Sequence, residues 1–159
     1  MPTLKFREAV PGDEALVARF VLALAEYEHL THEAVATESD LRRALFGSPA
    51  RCQALFVESD GQAVGFTVWF YNFSTFTGRP GLFVEDVFVL PTHRGQGIGG
   101  AIFRELARRA VAENCVRMEW LVLNDNEPAK KFYRGIGARP MQEWTVQRLD
   151  GDALAGMAG

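Results

Sequence analysis

A chain of 159 residues with 48% hydrophobic content is the size of one domain and can bury a sizeable core. Its formal charge of −3 and the absence of any Lys/Arg-dense block give no electrostatic footprint for nucleic acid and lean toward a neutral or cationic small partner. With no basic start leading into an apolar h-region and no bilayer-length apolar run, neither export nor membrane insertion is expected, and a cytoplasmic location is.

The chain opens with a short alternating segment, Thr3 to Arg7, after which Pro11, Gly12 and Asp13 announce a helix. Leu16, Phe20 and Leu24, with Val17 and Val21, give that helix one apolar face up to about Tyr27. After an acidic, His-containing loop, Thr37 and Asp40 form a capping-box variant ahead of Leu41, Leu45 and Phe46. Cys52 to Ser59 and Gln62 to Phe73 read as strands joined at Asp60-Gly61, a strong hairpin signal. With a third strand, Leu82 to Leu90, they should form an antiparallel meander.

Beyond Pro91 a glycine-rich run opens a helix carrying Ile98, Ile102, Leu106 and Ala110, ending near Asn114, a residue tolerated in the left-handed cap position. Val116 to Leu123 is then an apolar strand, parallel to the one before the helix because the helix is a crossover. Asn126 can cap a last helix with Pro128 in its first turn, ended by Gly135 or Gly137, and a final strand near Trp144 to Leu149 would complete a mixed, mostly antiparallel α/β sheet. Residues 151–159 read as a frayed tail on a single domain, 1–159. Cys52 and Cys115 lack C-x-x-C spacing and suit free thiols, and His29, His32 and His93 make no ligand spacing, so no metal is expected.

The stretch "FVEDVFVLPTHRGQGIGG" holds the chemistry. Gly95, Gly97 and Gly100 have the G-x-G-x-x-G spacing, but four residues separate the first glycine from the strand, and the antiparallel first half leaves no room for two βαβαβ halves. A P-loop is excluded because no Lys-Ser or Lys-Thr follows. What remains is a run of backbone N–H groups at a helix start, with Arg94 beside them, which fits a phosphate-bearing ligand. Just upstream, Glu85 and Asp86 are adjacent in a strand and should point to opposite faces unless a bulge intervenes.

The run Arg94-Gly95-Gln96-Gly97-Ile98-Gly99 resembles the R/Q-x-x-G-x-G/A acyl-CoA loop of the GNAT superfamily of N-acetyltransferases. "LALAEYEHL", "LFVEDVFVLPTHRGQGIG" and "NEPAKKFYRGIGA" are similar to segments of its diamine (spermidine/spermine-type) and thialysine-acetylating members. The resemblance implies the GNAT fold, with a parallel strand pair splayed at the acyl-CoA site, and acetyl-CoA as cosubstrate. It also implies a homodimer and a small diamine, polyamine or lysine-like amine as acceptor.

Carried over residue by residue, Glu85 helps remove the amine proton through water, with Asp86 beside the substrate channel, and Tyr133 protonates the departing sulfur. Val87, Phe88 and Val89 offer main-chain groups to the pantetheine arm and thioester oxygen. Arg94, Gly95, Gln96, Gly97, Ile98, Gly99, Gly100 and Asn126 contact CoA. Tyr27, Glu28, Glu119, Trp120, Leu121, Glu143 and Trp144 line the acceptor channel, where carboxylates and aromatic faces suit a polycation. Plainer readings stand beside these: Tyr133 as a core aromatic, Asn126 as an ordinary N-cap, Glu28 and Glu143 as solvated charges. Two rival functions also stand, a GNAT enzyme for an unrelated amine such as an antibiotic or protein N-terminus, and a CoA-binding regulatory module without turnover. A sensor would need the glycine loop but neither Glu85 nor Tyr133.

Overall fold

The computed structural model describes residues 3–159, which divide into two compact units, Met1–Leu121 and Val122–Gly159. The first is built on a five-stranded sheet in the order β1 (Leu4–Glu8), β2 (Gln53–Ser59), β3 (Gln62–Ser74), β4 (Arg79–Val89), β5 (Met118–Trp120). The first four strands are antiparallel neighbours and β5 runs parallel to β4. Asp60 and Gly61 turn the β2–β3 hairpin with φ of 51° and 76°, the positive pair that matches the twist of the strands.

Helices cover both faces. Helix α1 (Glu14–Tyr27) and helix α2 (Glu38–Phe46) close one side, where Val17, Phe20 and Leu45 pack with Phe56, Phe66, Val68 and Phe88. The Glu14 carboxylate accepts from Arg42 and ties the two helices together. Thr37 starts α2 with a reciprocal cap: its Oγ1 accepts the Asp40 N–H at 3.1 Å while the Asp40 carboxylate accepts the Thr37 N–H at 2.9 Å. On the other face helix α3 (Ile98–Ala112) sets Ile98, Ile102, Leu106 and Ala110 against Leu55, Val57, Val64, Trp69, Leu82 and Val84. Gly65 lets it lie close, since a Cβ there would meet the Phe88 carbonyl at 3.2 Å and Ile102 Cδ1 at 3.6 Å. Asn114, at φ 58°, takes the left-handed position past the end of α3.

In the second unit Asn126 Oδ1 accepts the Ala129 N–H at 3.2 Å and starts helix α4 (Glu127–Gly135), with Gly137 at φ 90° past its end. Three expectations are corrected. The strand after α3 is confined to Met118–Trp120, because its partner strand bulges directly after the last pair, Val84 and Trp120. No strand forms at 144–149: Trp144, Val146 and Leu149 are 73%, 64% and 48% exposed, and an extended segment without a pairing neighbour has no ladder to hold it. The tail is helical, α5 (Gly151–Ala158), as its Ala, Leu and Met content and Asp152 in the first turn favour. Among the described residues no helix is long and apolar enough to cross a membrane.

Candidate active site

A single irregularity in β4 organises the first unit's chemistry. Asp86 stands opposite Val68 and Val84 opposite Trp69, so Glu85 is an extra residue without a rung of its own, a β-bulge. Its effect can be followed in the side chains. Leu82 and Val84 pack on the α3 face, and so do Val87 and Val89, three rather than two residues further on, while Phe88 packs on the α1 face. The bulge thus exchanges the two faces and turns Asp86, in step with Phe88, toward α1.

The sequence left the relation of the adjacent carboxylates open, and the bulge decides it. Glu85 is exposed and Asp86 is half-buried. Burial, then the charges of Glu85 and of Glu28 at the end of α1, push the Asp86 carboxyl up to about 7. Glu28 is itself half-buried, and its burial also raises it above the usual carboxylate range. Three carboxylates from two elements therefore share one field, short of positive charge. Thr67, fully buried on β3, donates its hydroxyl to the Asp86 main-chain carbonyl at 2.8 Å and secures the strand where it bulges. Cys52, just before β2, senses the same cluster, its thiol raised by burial and then by Asp86 and Glu85. Thr67 was not singled out from the sequence, where a polar residue inside the apolar run of β3 was the one available signal, and Cys52 was read there only as a free thiol.

The bulge also ends the β4–β5 ladder. Pairing runs through Leu82–Met118, Phe83–Glu119 and Val84–Trp120, and beyond it no strand among the described residues pairs with that edge of Val87, Phe88 and Val89. Main-chain groups on that edge therefore lack a strand partner and, other than the Val89 carbonyl, can serve a ligand. The strand leads into the glycine loop, where Gly95 and Gly97 have φ of 76° and 78°. Where a Cβ would project from either, no atom lies within 4 Å. Gly97 is the N-cap of α3 and offers no side-chain cap, so the first amides of the helix, at Ile98, Gly99 and Gly100, face outward with the positive end of the dipole. Gln96 is exposed within the same turn, its Nε2 donating to the Thr92 carbonyl at 3.5 Å. These residues fit a pyrophosphate.

Arg94, expected beside these amides as a CoA contact, also makes contacts within the protein. Its Nε donates to the Val89 carbonyl at 3.0 Å, and its guanidinium lies over the Tyr27 ring at 4.5 Å and the Phe88 ring at 5.1 Å. The loop is thereby tied to the end of α1, bringing Tyr27 and Glu28 to the cluster side of β4.

The other expected acceptor residues of this unit divide by face. Trp120 packs on the α3 face, its ring 4.8 Å from that of Phe103, so it does not join the carboxylates. Glu119 accepts from Arg117 Nε at 2.8 Å, and Leu121 is 62% exposed. In the second unit Asn126 caps α4, Tyr133 is half-buried on α4 with its ring 5.5 Å from that of Phe132, and Glu143 and Trp144 are exposed.

A bulged strand that stops pairing with its parallel neighbour and feeds a glycine loop at a helix start matches the acyl-CoA site expected of a GNAT acyltransferase. The chain belongs to the acetyltransferase (GNAT) family, whose profile matches residues 20–138. It is 34% identical to a thialysine N-epsilon-acetyltransferase of Sus scrofa, covering 100% of this chain and 99% of that one. An L-ornithine N5-acetyltransferase of Arabidopsis thaliana is 28% identical over 94% of this chain and 86% of its own. Among solved structures, a V. cholerae integron cassette protein superimposes with a TM-score of 0.81 at 26% identity, covering 98% of this chain and 97% of its own.

Proposed function

We propose that the chain is an N-acetyltransferase, a single functional domain over 1–159, which uses acetyl-CoA to acetylate a primary amine of a small diamine, polyamine or lysine-like substrate. The observation that carries this is the acidic cluster that Glu28, at the end of α1, forms with Glu85 and Asp86 on the strand leading into the glycine loop. Relatives named for thialysine and ornithine, both small amines with a second charged end, support the same class of acceptor.

The amides of Gly95 to Gly100 and the Val87–Val89 main chain would hold the cosubstrate, with Asn126 contributing by resemblance. Bound there, acetyl-CoA would supply the acetyl group as a thioester and leave as the thiol. Glu85, exposed at the bulge, would draw in the ammonium group. Asp86, whose proton affinity lies near neutrality, would take the amine proton, directly or through water, and leave the nitrogen lone pair free to attack. The Tyr133 hydroxyl would give a proton to the departing sulfur. We assign the pair rather than Glu85 alone to proton removal because the half-buried member is the one whose affinity is tuned.

The protein is read as cytoplasmic and homodimeric; light scattering at micromolar concentration should give twice the mass of the 17.7 kDa chain, and a monomer would remove the dimer alone. The ligand reading is tested by thermal melting. Coenzyme A or acetyl-CoA should raise Tm, by about 2.7 kcal/mol of stabilisation at a hundredfold excess over Kd, while NAD and ATP should not. Equal stabilisation by NAD would overturn the assignment.

A further inference from the structure

The Arg94 guanidinium lies across two aromatic rings from different elements, Tyr27 at the end of α1 and Phe88 on β4, while its Nε is held on the Val89 carbonyl. The two rings are themselves 6.2 Å apart, tilted at 59°. A residue that served phosphate alone would gain nothing from this placement, whereas the planar guanidinium is the one side chain able to stack and donate in plane together. Tyr27 adjoins Glu28, whose charge reaches Asp86. We propose that Arg94 is a positioning residue for the amine acceptor: it fixes the Tyr27 ring and the end of α1 beside the Glu28–Glu85–Asp86 cluster, and so joins the phosphate-binding loop to acceptor recognition.

This rests on the amine-acetyltransferase reading above, and the test separates the two. Binding of spermidine, ornithine and thialysine to the protein without acetyl-CoA is measured by calorimetry, and KM values for amine and acetyl-CoA are measured in parallel. Arg94→Gln should raise the Kd of the amine that binds by about two- to fivefold, the range of an exposed cation–π contact. Arg94→Lys keeps the charge but not the plane, so it should restore KM for acetyl-CoA and leave the amine Kd raised. Tyr27→Leu should raise the amine Kd as well, and adding Arg94→Gln to it should raise the Kd no further, because the ring that Arg94 positions is already gone. Unchanged amine Kd in Arg94→Gln, or equal effects of that substitution with and without Tyr27, would overturn the proposal. Full rescue of amine binding by Arg94→Lys would also overturn it, in favour of a simple charge effect. A wild-type protein that binds none of the three amines would instead overturn the acceptor reading, and this inference with it.

Discussion

Asp86 and Glu85 are neighbours in sequence with different chemical lives, and the difference yields a signed prediction. Folding raises the Asp86 carboxyl from its ordinary 3.8 to about 7, so the folded state favours its protonated form. Its contribution to stability is therefore fully present below pH 4, is lost as pH rises through about 7, and leaves a penalty above that. Asp86→Asn should raise Tm at pH 8, by about 2–4 °C for each kcal/mol relieved in a chain of this size, and change it little near pH 4. Activity should move the other way. Wild-type kcat/KM should climb with pH through an apparent value near 7, and Asp86→Asn should lower it roughly 10²- to 10⁴-fold and flatten that limb. Glu85→Gln should raise the amine KM and keep the limb, moved to lower pH because the Glu85 charge no longer raises Asp86. The reverse pattern, a flat profile for Glu85→Gln and a preserved one for Asp86→Asn, would return the base to Glu85.

The bulge in β4 and the turn before α3 carry the site, and they were unequally legible in the sequence. Apolar periodicity placed α1, α2 and α3, because each buries one face against the sheet, while the β2–β3–β4 meander, whose strands are buried on both faces, was legible from its Phe-, Val- and Trp-rich runs and the Asp60-Gly61 turn. The glycine loop was readable for the same local reason: positive φ at Gly95 and Gly97 requires that residue type. A bulge depends on the neighbouring strand, so the sequence could say only that Glu85 and Asp86 would point to opposite faces unless one intervened, not which carboxylate would be buried. The absent strand at 144–149 is a tertiary effect of the same kind, since alternation can say that a segment suits a strand but not whether it finds a pairing partner. Gly97→Val tests the turn. A branched residue at φ 78° is strained by roughly 1–3 kcal/mol, so Tm should fall by several degrees, yet no neighbour obstructs the side chain and the protein should still fold. The rise in Tm on adding coenzyme A should vanish, because the new methyl groups occupy the approach to the α3 amides; a rise equal to wild type would mean that phosphate is bound elsewhere.

Over the whole molecule, a family profile that spans 20–138 crosses both compact units, and the proposed roles are shared between them. The residues proposed to bind and deprotonate the amine, Glu28, Glu85 and Asp86, belong to the first, and Tyr133, proposed to protonate the sulfur, belongs to the second. A CoA-binding regulator would need only the loop, and an aminoglycoside, itself a polycation, is separated from a small diamine by its size rather than its charge. Thiol release from acetyl-CoA, followed against a panel of spermidine, ornithine, thialysine, an aminoglycoside and a peptide with a free N-terminus, separates all three readings in one measurement. Release should be rapid with one or more of the small diamine or lysine-like amines, and slow with the aminoglycoside or peptide. Tyr133→Phe should bind that amine normally while turning it over far more slowly. Coenzyme A binding without amine-dependent thiol release, preference for the aminoglycoside or the peptide, or wild-type turnover in Tyr133→Phe would contradict the proposed function.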